Sequence, residues 1–205
     1  MIELVTTSGI FALDGGEWEV TNNIWLVGND REVIIIDAAH DAAPIVQAVN
    51  GRRVKAIALS HGHNDHINAA LALQDVVDAP ILLHPDDLML WHVIYPDRDP
   101  DGWLTDGGLL TVGGAELGVL HTPGHSPGGC CFHVAGGCAD GTDAVFSGDT
   151  LFCGGPGATG RSFSDYDTIV ASIRQRLFTL PSSTVVHTGH GDSTTIGAEA
   201  EALRE

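Results

Sequence analysis

Six consecutive residues, His61-Gly62-His63-Asn64-Asp65-His66, carry four side chains that ligate metals. Imidazole suits zinc, iron and manganese, and a carboxylate can join two ions. His61 and His63 are two apart, so in extended backbone both project to one side of the chain. Asp65 and His66 fall at the turn into a following helical segment and face a second point. Four ligands this close crowd one ion, so the spacing points to two ions sharing a loop. Similar chemistry recurs downstream in His121-Thr122-Pro123-Gly124-His125-Ser126-Pro127-Gly128, in Phe146-Ser147-Gly148-Asp149-Thr150-Leu151-Phe152 and in Val185-Val186-His187-Thr188-Gly189-His190-Gly191-Asp192. Each stretch follows an apolar run and sets a small residue or glycine beside a His or Asp, where glycine lets backbone approach closely. One such stretch would be weak evidence; four in order, each after an expected strand, point strongly to a site.

Two cations a few ångströms apart lower the pKa of a shared water from about 15.7 toward 7. The hydroxide so formed, bridging the metals, attacks a carbonyl while one ion steadies the developing oxyanion. A thiolate, with a pKa of about 8.5, leaves without a strong acid. Outside the metal loops the sequence offers no dedicated general acid, which favours thioesters over amides.

The elements that must position these loops follow from pattern. Residues 2–13 and 18–28 read as strands around an Asp14-Gly15-Gly16 turn. The continuous apolar run over 32–37 reads as a strand buried on both faces, as does 54–59. Helical spacing follows at about 41–50 and 67–77. A short strand at 81–84, a short helix after Pro85 and a Pro/Asp/Gly-rich loop over 96–108 come next. Strands are expected at about 109–112, 115–121, 129–134, 143–148 and 183–188, with a flexible stretch at Gly154–Gly160. Ser164 is a suitable N-cap for a helix over 165–178, and a last helix is expected at about 195–204. No linker marks a boundary, so residues 1–205 read as one α/β domain with sheet packed on sheet and helices outside.

Composition narrows the partners. Acids outnumber bases 27 to 9, the net charge is −18, and Lys55 is the one lysine among 205 residues. Such a chain repels a nucleic-acid backbone and an anionic membrane surface. It shows no signal-peptide pattern and no apolar run of spanning length. Cys130, Cys131, Cys138 and Cys153 form no C-x-x-C pair, so a reducing cytoplasm is the simplest compartment.

The ordered set His-x-His-x-Asp-His, Thr-Pro-Gly-His, Gly-Asp-Thr and Gly-His resembles the metallo-β-lactamase fold superfamily, in particular its glyoxalase II-like hydrolases. The resemblance spans about residues 18–197 and implies an αββα sandwich, two mixed β-sheets flanked by helices, with a dinuclear site at one edge. It implies two divalent metal ions, zinc first, with iron or manganese as alternatives. By the same resemblance His61, His63 and His125 hold the first ion, Asp65, His66 and His190 the second, and Asp149 bridges them, with Asp65 and Asp149 as the catalytic carboxylates. Asp37 matches a position that braces the metal loop, and Arg161, a candidate substrate-binding residue, matches a Gly-Arg segment near the metal site. His40, His84, His92, His121 and His133 lack such motifs. His187 matches no ligand position, and Cys153 reads as a small buried hydrophobe.

The implied reaction is hydrolysis of an acyl-thiol substrate by a thioesterase of hydroxyacylglutathione hydrolase type. Only 15 residues follow His190, so the C-terminal helical domain of the long forms is expected to be absent. With one lysine, a neutral sugar thiol such as mycothiol suits the chain better than anionic glutathione. The N-terminal Leu-Asp-Gly-Gly-Glu-Trp and the run to Arg161 also look like actinobacterial relatives linked to mycothiol conjugates. A persulfide dioxygenase with one iron at His61, His125 and Asp149 shares these loops. A non-catalytic metal-binding protein is the alternative from another class. The oligomeric state is not legible.

Overall fold

The apolar runs become strands whose alternate side chains feed two different cores. In the computed structural model, which describes residues 1–203, β3 (Glu32–Ile36) sends Val33 and Ile35 to one cluster and Ile34 and Ile36 to another. This double burial is why the run carries no polar alternation. β3 lies between β2 (Gly16–Gly28) and β4 (Arg53–Ala58). A hairpin partner, β1 (Ile2–Leu13), pairs antiparallel with β2 along its length, and β5 (Ile81–Leu83) and β6 (Gly102–Trp103) extend the far edge in parallel. The order is β1-β2-β3-β4-β5-β6.

The second sheet also has six strands. β7 (Leu109–Val112), β8 (Ala115–His121), β9 (Cys130–Val134) and β10 (Ala144–Gly148) run antiparallel. β11 (Leu151–Phe152) and β12 (Gly155–Pro156) form a separate small ribbon. β13 (Val185–Thr188) joins β10 in parallel, and β14 (Thr194–Thr195) closes that edge.

Between the sheets lie Trp25, Ile34, Ile36, Val119, Phe132 and Phe146. The outer face of the first sheet is covered by α1 (Ala42–Val49), α2 (Asn64–Ile67), α3 (Ala70–Val77) and α4 (Leu88–Ile94), which bury Ile45, Ile67, Leu73 and Trp91 against Ile35 and Ile57. α5 (Tyr166–Ser172) and α6 (Ile196–Ala202) cover the second, through Ile169, Ile173 and Ile196 against Val145 and Val186. The result is the expected αββα sandwich. No helix among the described residues is long and apolar enough to cross a membrane.

Several local expectations need correction. Asp165, not Ser164, caps α5: its carboxylate accepts from the Thr168 amide at 2.7 Å. The Ser164 hydroxyl is instead spent inside its own loop, accepting from the Gly160 and Arg161 amides. α5 ends at Ser172 and continues as a π-turn over Ile173–Leu177. The single helix expected over 67–77 is two, because the turn at Asn68 is drawn toward the chain after β3: Asn68 Oδ1 accepts from the His40 amide and Ala69 N donates to Ala38 O. The loop over 96–108 contributes β6, and Gly154–Gly160 includes β12. The last position of the expected C-terminal helix, residue 204, lies outside the described residues.

Candidate metal centre

Each of the four sequence stretches sits just past the C-terminal end of a strand: β4 leads to His61, β8 to His125, β10 to Asp149 and β13 to His190. One of these strands belongs to the first sheet and three to the second, so their ends meet at one edge of the sandwich. Two glycines make the approach possible. Gly148 turns with φ of 47°, and a Cβ there would lie 2.6 Å from Ser60 Oγ. A Cβ on Gly189 would lie 2.3 Å from Asp149 Oδ1 and 2.9 Å from His66 Cε1.

All seven sequence candidates for metal ligation converge. Donor atoms lie within 4.8 Å of one another in His61/His63/His125, in His61/His66/Asp149 and in Asp65/His66/His190. His63 Nδ1 stands 3.0 Å from His125 Nε2, and His66 Nε2 stands 3.2 Å from His190 Nε2. Asp149 reaches both groups, with Oδ1 at 3.3 Å from His66 Nε2 and Oδ2 at 3.5 Å from both His125 Nε2 and His190 Nε2.

The outer nitrogens fix which way the lone pairs face. Ser60 donates its hydroxyl to Asp37 Oδ2 at 2.8 Å, so its oxygen is left to accept from His61 Nδ1 at 3.0 Å. His66 Nδ1 donates to Asp37 Oδ2 at 2.8 Å, His125 Nδ1 to Ala158 O at 2.8 Å and His190 Nδ1 to Thr21 O at 2.8 Å. In the neutral rings these bonds place the proton on Nδ1 and leave Nε2 as a lone pair aimed at the cluster. His61 Nε2 is buried with no hydrogen-bond partner. Lone pairs facing one another about 3 Å apart repel unless a cation or a proton lies between them. Five imidazoles and two carboxylates, so directed, fit divalent transition-metal ions.

Charge is split across the cluster. Burial, reinforced by His66 and His63, keeps His61 well below the usual imidazole range. Burial and then His125 push His63 down to about 3. Burial also opposes charge on His66 and His190, but Asp149 and Asp65 more than offset it; His66 is raised well above its usual value and His190 to about 10. Burial opposes ionisation of Asp149 too, yet His66 and His190 hold it well below the carboxylate range. Without a bound cation, the carboxylates beside them favour the protonated forms of His66 and His190.

Residues outside the recurring stretches hold the candidate ligands in place. Asp37, at φ of 66°, takes the Ser60 amide at 2.7 Å besides Ser60 Oγ and His66, so it braces the first loop as the resemblance implied. Asp87 is fully buried and spans two loops: Oδ2 accepts from the Gly62 amide and Ser126 Oγ, both at 2.7 Å, and Oδ1 from the Gly128 amide at 2.5 Å. Asn22 donates to Asp65 Oδ2 at 3.0 Å and accepts from His40 Nε2 at 2.8 Å, while Asn68 donates to His40 Nδ1 at 3.2 Å. Sequence reading missed Asp87, Asn22 and His40. The pair Asn22-Asn23 opening an otherwise apolar strand segment was the one available signal.

Other readings resolve differently. Arg161 lies with its guanidinium 3.9 Å over the Trp18 ring, outside the lining of the cleft. Cys153 is exposed, not buried as expected, because it sits at the tip of the β11–β12 ribbon. His187 packs between Trp25 and Phe146 and touches no ligand. His84 and His121, without a motif in sequence, stack at 4.1 Å. A cleft of about 400 Å³ opens above the cluster; Asp65, His125, Asp149 and His190 form its floor and Phe11, Val20, Thr21, Phe152 and Ala158 its walls.

The family model for the metallo-beta-lactamase superfamily matches residues 18–190. The hydroxyacylglutathione hydrolase GloC of Haemophilus influenzae is 32% identical over 191 residues, covering 86% of this chain and 87% of its own. Among solved structures, the B3 metallo-beta-lactamase BLEG-1 superposes with a TM-score of 0.77 at 29% identity, covering 95% of this chain and 97% of its own. TTHA1623, in a di-iron-bound form, gives 0.75 at 33% identity over 89% of this chain and 94% of its own.

Proposed function

The chain belongs to the metallo-β-lactamase superfamily, and from that membership we propose that it is a metal-dependent hydrolase of thioesters formed by a low-molecular-weight thiol. The superfamily binds divalent metals, and the chain brings together the His and Asp clusters to do so. His61, His63 and His125 would hold one ion, Asp65, His66 and His190 a second, with Asp149 shared. Bound there, the ions supply an acidified water and a positive charge for the oxygen that becomes anionic.

The chain's own residues do the rest. The fixed tautomers of His61, His66, His125 and His190 keep their Nε2 atoms facing inward. Asn22 pins Asp65 through Oδ2. Asp65 and Asp149 are the carboxylates on the cleft floor, placed beside the position of the attacking water.

One observation carries the choice of thioester. The walls are Phe11, Val20, Thr21, Phe152 and Ala158, so among the described residues the acid–base groups lining the cleft are those of the cluster itself, Asp65, His125, Asp149 and His190, which bound metal would occupy. An amine leaving group must be protonated as it departs, whereas a thiolate, with a pKa of about 8.5, leaves as it is. The net charge of −18 favours a neutral thiol carrier, such as a sugar thiol, over an anionic one. The four cysteines are unpaired, which suits the reducing cytoplasm where such thiols act.

The test is purification without added metal, metal analysis, reconstitution, and a panel of glutathione thioesters, neutral-thiol thioesters and a cephalosporin. Thioester hydrolysis at two metals per chain supports the reading. Hydrolysis of the cephalosporin alone refutes it. Saturation at one iron, with oxygen uptake on a persulfide, would assign the chain to persulfide oxidation instead.

A further inference from the structure

Three of the five wall residues, Phe11, Val20 and Thr21, come from the β1–β2 hairpin. Phe11 pairs across the hairpin with Trp18, and Val20, two residues beyond Trp18, shares that face. The Phe11 ring stands 5.4 Å from the His63 ring, edge to face, and 5.6 Å from Trp18. Across the cleft, Phe152 stands 6.2 Å from His190, and Ala158 adds a methyl group.

This wall is fastened to the metal loop by Asn64, the residue between His63 and Asp65. Its Oδ1 accepts from the Ala12 amide and its Nδ2 donates to Ile10 O, both at 2.8 Å. One side-chain amide thus occupies the free edge of β1 as a neighbouring strand would. These two bonds flank Phe11 and fix it relative to the ligands on either side of Asn64. At the hairpin tip, the Ser162 amide donates to Asp14 Oδ2 at 3.0 Å. The wall is tied down at both places before any substrate arrives.

On the thioesterase reading above, we propose that this chain selects thioesters of apolar acyl groups, aliphatic or aromatic, with Phe11 as a specificity-determining residue and Asn64 as the residue that positions it. Of the wall side chains only Thr21 carries a hydrogen-bonding group. A hydroxyacyl group placed against Phe11, Val20, Phe152 and Ala158 leaves its hydroxyl short of partners and gains less from burial. An alkyl or aryl acyl group removes its own apolar surface, and that of Phe11 and Phe152, from water.

The test uses metal-loaded protein and S-acyl thioesters of N-acetylcysteamine: acetyl, propanoyl, butanoyl, hexanoyl, benzoyl and lactoyl. We expect kcat/KM to rise about fourfold per methylene, as ~0.8 kcal/mol per buried CH2 implies, and lactoyl to fall below propanoyl. The corresponding ketones, with CH2 in place of sulfur, should bind by calorimetry with the same dependence on length. Phe11→Ala should flatten the slope at unchanged metal content. Asn64→Ala should flatten it partially, and Asn64→Asp more, because a carboxylate would face Ile10 O. A flat series, a lactoyl preference, or a gain that follows alkyl length on the thiol side with acetyl held constant overturns the proposal alone. No hydrolysis of any member at full metal loading removes the thioesterase reading and the proposal with it.

Discussion

Replacing Asp87 should separate folding from metal affinity in a predictable way. Its carboxylate accepts from Gly62, which lies between His61 and His63, and from Ser126 and Gly128, which follow His125. All three ligands of the first trio therefore depend on one side chain that touches none of them. Asp87→Ala leaves three buried donors without partners; at about 1–3 kcal/mol each, the loss is about 3–9 kcal/mol. That equals much of the roughly 5–15 kcal/mol net stability of a domain, so little folded protein is expected. Asp87→Asn is milder. Its carbonyl oxygen, in the Oδ2 position, keeps Gly62 and Ser126, while its NH2 faces the Gly128 amide, donor to donor. One lost bond of about 1–3 kcal/mol is partly offset, because burial already raises the Asp87 pKa and the amide carries no charge to desolvate. The expected outcome is a folded protein with Tm lowered by about 2–8 °C. Metal titration against a chelator should show about five- to thirtyfold weaker affinity at the first trio, with Asp65, His66 and His190 unaffected. Wild-type Tm and metal affinity in Asp87→Ala, or equal weakening of both sites in Asp87→Asn, would refute this account of the clamp.

Asp149→Ala should lower activity more than loss of any single histidine and should reduce bound metal at both sites, since its oxygens face His66, His125 and His190; metal analysis showing one full site would disprove this. Gly189→Ala should displace Asp149 and His66, because the added methyl meets the carboxylate at 2.3 Å; the prediction is reduced metal stoichiometry in a folded protein, and fails if stoichiometry is unchanged. In chelator-stripped protein His190, raised to about 10, adds stability that is full below its unfolded value of 6.5 and lost as pH rises through 10; His63, lowered to about 3, makes stability fall as pH drops below 6.5. Thermal melts should therefore peak near pH 6.5 and decline on both sides, and metal binding should release protons and tighten with pH. A melting curve flat from pH 6.5 to 10, or binding without proton release, contradicts the charge distribution.

The sandwich and the convergence of the four loops were legible because both are written locally. Val33–Ile36 has no polar alternation, which only a strand with a core on each side tolerates. Glycine beside His or Asp marks a strand end with no room for a side chain: a Cβ on Gly148 or Gly189 would collide with Ser60 or Asp149. The division of the candidate ligands into two trios came from resemblance; the donor atoms also group across it, as His61/His66/Asp149. The clamps were not legible. Asp87 reads as part of a helix start in Pro85-Asp86-Asp87, and its bonds reach residues 25 to 41 positions away. Asn64 reads as filler between ligands, yet it pairs with a strand more than 50 residues earlier. Ser164 and Asp165 are both sound cap residues, and only the geometry of the loop around Arg161 decides between them.

The candidate ligands follow strands of both sheets, and His61 and His190 are 129 residues apart in the chain. A growing or unfolded chain has at first only the donors of the 61–66 loop, a short chelate with the remaining ligands still dispersed. Closing so long a loop is slow, and a cation cannot hasten it while the second sheet has yet to form. The full coordination set exists only after β10 and β13 have paired and the two sheets have docked. A cation held there would join one sheet to the other, and we expect that contact to form after the folding barrier. Its effect should fall on the escape rate from the native state, not on the rate of reaching it. Loaded and stripped protein should refold at similar speeds, while the loaded form outlasts the stripped one in denaturant.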